Sequence, residues 1–131
     1  MKRPYKWLDR ARFLVPMPYW TLVLTQDEFD EVLVEMELRR GEYGDYSPVG
    51  AKTWHYTHPD GDVAAIVCLN EAPDVSSIQV ASLLVHEAVH VAQSIIERIG
   101  EKNPSHEFQA YLIQNLSQVL FLEYERRRTQ P

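Results

Sequence analysis

Residues 77–99 contain neither proline nor glycine, and this uninterrupted stretch restricts the possible folds more than any other feature of the sequence. Ser76, with Gln79 three positions later, resembles a capping box, and Gly100 supplies a stop signal. Apolar residues surround most of the circumference that a helix would have here, as in a helix buried within a domain. The pattern therefore predicts a long and largely buried helix.

One narrow polar stripe interrupts the apolar surface of this predicted helix. Its members follow one another at steps of three or four residues, which keeps their side chains on one face. They are Gln79, Ser82, His86, His90, Gln93 and Glu97. Two histidines one turn apart are thus predicted to share the polar face.

The first third of the chain predicts a strand followed by a helix. Residues 19–24 are aromatic and β-branched, which is typical of a strand. Thr25 then begins a capping-box pattern, and apolar residues at helical spacing predict a helix over about 26–40. The glycine content of residues 41–50 indicates a loop.

The remaining segments complete an α+β fold with a short sheet and two long helices. Two strand-like runs, 53–57 and 63–69, flank a turn-rich tetrapeptide and predict a β-hairpin. Asn103 and Pro104 are a suitable cap and first turn for a last helix that reaches about Arg127.

Composition narrows the possible partners. The formal net charge of −6 disfavours nucleic acid, whose phosphates attract clustered Lys and Arg. No segment has the length and apolarity of a signal peptide or a membrane span. The single cysteine, Cys68, excludes an intrachain disulfide and a zinc site built on several cysteines. We therefore expect one cytoplasmic domain over residues 1–131, with neither a nucleic-acid nor a membrane partner.

The two histidines belong to an H-E-x-x-H motif, His86-Glu87-Ala88-Val89-His90. On a helix their imidazoles point from adjacent turns toward a common point, so both can bind one tetrahedral Zn²⁺. Glu87 lies beside that face, where it can take a proton from a metal-activated water and pass it to a leaving amine. The motif predicts one zinc ion, with Glu87 as the general base in peptide-bond hydrolysis.

A catalytic zinc site generally uses three protein ligands and leaves one position open. Glu107, at the start of the predicted last helix, is the preferred third ligand because two histidines and one glutamate are an established catalytic set. His106 and Asp74 are the alternatives.

The motif at 86–90, followed on a second helix by Glu107-x-x-Ala110-Tyr111, resembles the gluzincin group of zinc metallopeptidases. The form is short, similar to phage-type and minimal single-domain members, and the resemblance covers about residues 63–115. It implies a zincin-like domain, in which a mixed sheet lies over the active-site helix and the three ligands and the base are those named above. It also implies that the strand before the helix, Val63–Leu69, is the cleft edge that binds an extended peptide substrate.

Several other residues are assigned ordinary structural roles. His55 and His58 are more typical of strand histidines than of groups that assist a metal site. Tyr111, at helical spacing, is typical of a core residue, and Cys68 of a small buried hydrophobe. The run Arg126–Arg128 is typical of a solvated helix end.

Two further hypotheses compete with the hydrolase. The small size of the chain also fits a non-catalytic adaptor that zinc stabilises, in which the cleft serves only recognition. Glu87 favours the enzyme, because a purely structural zinc site needs no base beside its ligands. A metal-free domain with a chance motif is the weaker alternative.

Overall fold

The fold is known from a computed structural model, which describes residues 4–38, 50–70 and 75–128. Its helices and strands form the predicted α+β fold, with a three-stranded sheet that includes the hairpin and with two long helices after it. In chain order they are β1 (Tyr19–Val23), α1 (Gln26–Glu35), β2 (Ala51–Thr57), β3 (Val63–Leu69), α2 (Ser77–Arg98) and α3 (His106–Arg128).

The sheet is mixed, and β3 is its central strand. β3 pairs in parallel with β1 on one side and antiparallel with β2 on the other, so the strand order is β1-β3-β2. The expectation that Val63–Leu69 forms the edge of a cleft is therefore wrong, because both of its sides are already hydrogen-bonded to neighbouring strands. Among the described strands, β2 is the outermost on the hairpin side.

Helices cover both faces of the sheet. Alternate residues of β3 divide between two apolar clusters: Ala65 and Val67 face α2 and α3, whereas Ile66 and Cys68 face α1. This burial on both faces explains why β3 is an almost continuous apolar run rather than an alternating one.

Helix α1 begins at the predicted Thr25 cap, whose side chain accepts a hydrogen bond from the Glu28 N–H, but it ends at Glu35 rather than near residue 40. Glu37 adopts a left-handed conformation with a φ of 61°, and the Leu38 N–H donates to the Leu33 carbonyl at 2.8 Å. A left-handed residue with this hydrogen bond ends the helix here although no glycine is present. The predicted loop falls mostly at residues 41–49, which lie outside the described residues.

The long helices have well-defined ends. Ser76 and Gln79 form both bonds of a capping box, and Gly100, with a φ of 75°, follows the end of α2. Helix α3 begins at His106, two residues later than predicted, because the Ser105 hydroxyl accepts the Phe108 N–H at 3.1 Å and caps the first turn. Among the described residues, no helix has the length and apolarity needed to cross a bilayer.

The basic end of α3 is only partly solvated. Arg127 is 1% exposed; it donates to the Leu22 carbonyl at 2.9 Å and forms an ion pair with Glu28. Arg126 pairs with the buried Glu123 at 2.7 Å, whereas Arg128 is exposed. The expectation of a solvated charge run is therefore wrong for Arg126 and Arg127, which anchor the last turn.

Candidate metal centre

The two motif histidines converge on the solvent side of α2. Their Nε2 atoms lie 3.2 Å apart, their ring planes are inclined at 71°, and both side chains are exposed. Two nitrogens bound to one tetrahedral zinc at 2.0–2.1 Å are separated by about 3.3 Å. The spacing of His86 and His90 thus fits two ligands of a single ion.

A neighbouring glutamine suits His90 to this role. The His90 Nδ1 atom lies 3.2 Å from Gln93 Oε1. When Nδ1 carries the proton and donates it to this amide oxygen, the lone pair of Nε2 is left for a metal, as is usual for ligating histidines.

Glu87 points inward although both neighbouring ligands are exposed. It is 3% exposed, its Oε1 atom accepts a hydrogen bond from Thr53 Oγ1 at 2.8 Å, and its Oε2 atom lies 4.0 Å from His86 Nε2. Glu87 is therefore buried rather than solvated. The carboxylate is held between the edge strand and the histidine pair.

The third predicted ligand is not beside this pair. Within residues 4–38, 50–70 and 75–128, no three His, Cys, Asp or Glu side chains are grouped so that they could hold a metal ion. Glu107 is exposed in the first turn of α3. The α3 residues that line the same surface cavity as Val85 of α2 include Gln114 and Ser117, which lie about two to three turns further along α3. The cause is that α2 continues for eight residues, about 12 Å, beyond His90 before the chain turns back.

The alternatives for the third ligand have different positions. His106 is exposed at the first residue of α3, and Asp74 lies outside the described residues. The assignment of Glu107 stays a prediction that metal binding must test.

Strand β2 supplies two side chains that the motif does not include. Thr53 contacts Glu87 of α2, so its side chain lies on the face of the sheet that α2 covers. His55 lies on the same face, since residues two apart in a strand share a face. Partial desolvation lowers the pKa of His55, and the nearby charges of His90 and Arg98 lower it further. The sequence predicts a strand at 53–57, so it also predicts that Thr53 and His55 share one face. It does not predict that this face packs against α2.

The remaining candidates are structural or distant. Cys68 is fully buried in an apolar cluster, as predicted, and its burial and the negative charge of Glu87 raise the pKa of its thiol. His58 binds Asp60 at 2.9 Å in the hairpin turn, away from the histidine pair. Tyr111 is 60% exposed, so its expected place in the core is wrong.

The fold and the site together define an α+β domain with a solvent-facing pair of histidines and a buried carboxylate next to them. Comparison with known proteins finds no matching family model, no similar curated protein and no similar solved structure. The interpretation of the site therefore depends on its own geometry.

Proposed function

We propose that this protein is a zinc-dependent peptidase that hydrolyses peptide bonds in a peptide or protein substrate. The observation that carries the proposal is the pairing of two Nε2 atoms 3.2 Å apart with a buried carboxylate oxygen 4.0 Å from one of them. Two convergent imidazoles beside a fixed carboxylate offer two of the three ligands that a catalytic zinc site generally uses, and a general base. A cytoplasmic location is part of the same proposal.

His86 and His90 would hold the ion, with Glu107 as the proposed third ligand. When bound, zinc supplies Lewis-acid chemistry, which polarises a carbonyl and makes a water molecule more acidic. Glu87 accepts the proton of the attacking water and later delivers it to the leaving amine. Its burial between β2 and α2 fixes the carboxylate before the substrate arrives.

The geometry favours the peptidase over the zinc-stabilised adaptor. A structural zinc site is closed by four protein ligands, whereas a catalytic site keeps a position open. The His86 side chain is 67% exposed, and the buried carboxylate of Glu87 lies beside it as a base that a purely structural site would not need. An exposed pair leaves room for a substrate carbonyl.

The first prediction separates metal binding from catalysis. We expect His86→Ala and His90→Ala to lose zinc, because each substitution removes one of the two imidazoles that converge on the proposed ion. Glu87→Gln should keep zinc but lose cleavage by roughly 100-fold or more, since the amide cannot accept the proton. Zinc content and affinity are measured by atomic absorption and calorimetry, and cleavage by mass spectrometry of a proteome-derived peptide library.

Three outcomes would contradict the proposal. Unchanged zinc content in His86→Ala would remove the ligand assignment. Equal cleavage by the wild type and Glu87→Gln would remove the base, and zinc binding without any cleavage would favour the adaptor.

The third ligand is tested in the same way with a matched pair of neighbours. Glu107→Ala should weaken zinc binding by about 10-fold or more if the carboxylate is a ligand, whereas His106→Ala, one position earlier and equally exposed, should not. The reverse result would transfer the role to His106.

A further inference from the structure

The hydrogen bond from β2 to the motif helix gives Thr53 a specific place in the site. Thr53 Oγ1 donates to Glu87 Oε1 at 2.8 Å, across a sequence separation of 34 residues. Thr53 lies in the edge strand and is paired there with Val67 of the central strand. The bond therefore joins the sheet directly to the proposed base.

The threonine hydroxyl is held rigidly. A β-branched side chain has few χ1 choices, and the antiparallel pairing with β3 fixes the backbone that carries it. Close approach of the strand to the helix adds to this: a Cβ atom at Gly50, just before β2, would lie 3.3 Å from Leu83 Cδ2 on α2. The hydroxyl thus has a defined position relative to the helix.

This hydroxyl makes the two oxygens of the carboxylate inequivalent. The terminal torsion of a glutamate is broad, so an unrestrained carboxylate samples many orientations. Because Oε1 is occupied by Thr53, Oε2 is left on the side of His86, at 4.0 Å from its Nε2 atom.

We propose that Thr53 is the positioning residue of the site: its hydroxyl holds Oε1 of Glu87 so that Oε2 faces the histidine pair as the proton acceptor. This inference rests on the proposed hydrolase function and deepens it. With this role for Thr53, strand β2 as well as helix α2 contributes a residue to the proposed active site.

The test compares three substitutions at one position with a control on the same strand. Thr53→Val keeps the branched shape without the hydroxyl, Thr53→Ala removes both, and Thr53→Ser restores the hydroxyl alone. Thr57→Val, on the same face of β2 and exposed, is the matched control. The measurements are kcat and KM on the most rapidly cleaved peptide of the library, zinc affinity by calorimetry, and unfolding in urea.

We expect Thr53→Val and Thr53→Ala to lower kcat by roughly 10- to 100-fold, because misplacement of a catalytic group by about 1 Å costs up to that much. KM and zinc affinity should stay at the wild-type values. Thr53→Ser should recover most of kcat, and Thr57→Val should leave it unchanged. In a Glu87→Gln background, Thr53→Ala should have no further effect on residual cleavage, since the two residues act as one unit.

The possible failures are distinguishable. If Glu87→Gln cleaves as fast as the wild type, the proposed function fails and the role of Thr53 falls with it. If Glu87→Gln is inactive but Thr53→Ala keeps a normal kcat, the function stands and the positioning role is wrong. A Thr53→Ser variant as inactive as Thr53→Ala, or loss of zinc affinity in both, would show a structural role and would also overturn the inference.

Discussion

His55 is a histidine near the proposed site whose pKa is changed by its surroundings. It lies on β2, two residues after Thr53, and its pKa is lowered first by partial desolvation and then by the charges of His90 and Arg98. A lowered pKa means that the folded state binds a proton less readily than the unfolded state does. The fold therefore favours the neutral form of this ring over the charged form.

This shift predicts the direction in which pH changes stability. Because the folded pKa lies below the usual value near 6.5, the unfolded state binds more protons as the pH falls through that value, so folding stability decreases there. His55→Gln removes this contribution and should flatten the pH dependence of urea unfolding in zinc-free protein. Arg98→Gln should raise the pKa of His55 in a proton-NMR titration; a wild-type value at or above 6.5 would contradict the argument.

At the scale of the helices and strands, Arg127 links three of them. Its guanidinium is buried at the end of α3, donates to the Leu22 carbonyl of β1 and forms an ion pair with Glu28 of α1. Glu28 in turn accepts the Leu24 N–H at 2.8 Å, which ties the β1–α1 connection to the same group. The last turn of α3 therefore stabilises the β1 side of the sheet, opposite to β2.

Truncation of this residue should be costly. Arg127→Ala leaves the carboxylate of Glu28 and the carbonyl of Leu22 without their cation, and breaking a buried pair in this way costs about 3–5 kcal/mol. Arg128→Ala, at the exposed neighbouring position, should change the free energy of unfolding by less than about 1 kcal/mol. Urea denaturation measures both, and equal losses in the two variants would show that Arg127 has no special role.

The helices and strands were largely predictable because their signals are local. The Ser76 capping box, the hairpin turn and the apolar run of β3 each act within a few residues, and the structure confirms all three. The errors have local causes as well: Glu37 ends α1 without a glycine, and Ser105 caps α3 in place of Asn103.

The site was only partly predictable for the opposite reason. The spacing of the motif predicted that His86 and His90 share a helix face, and the structure confirms this convergence. The hydrogen bond between Thr53 and Glu87 depends on which face of β2 packs against α2. This is a tertiary contact, and the spacing of residues in the sequence does not predict it. The same holds for Arg127, whose burial depends on how α3 packs against β1.

At the scale of the whole molecule, the proposed metal couples to folding through α2. Both histidines lie on one helix, and that helix is held by the sheet on one side and by α3 on the other. An unfolded chain presents no converged pair, so zinc binds the folded state preferentially. Preferential binding of zinc to the folded state increases the free energy of unfolding.

Zinc should therefore raise the thermal unfolding midpoint. At a free zinc concentration 100 times the dissociation constant, the folded state gains about 2.7 kcal/mol, which corresponds to roughly 10 °C for a chain of this size. The shift should disappear on addition of EDTA and should be absent in the His86→Ala/His90→Ala double variant, while magnesium, which prefers oxygen ligands, should not reproduce it. Differential scanning calorimetry measures the midpoints. An equal zinc-dependent shift in the double variant would mean that the ion stabilises the fold elsewhere, and the histidine pair would lose its assignment as the metal centre.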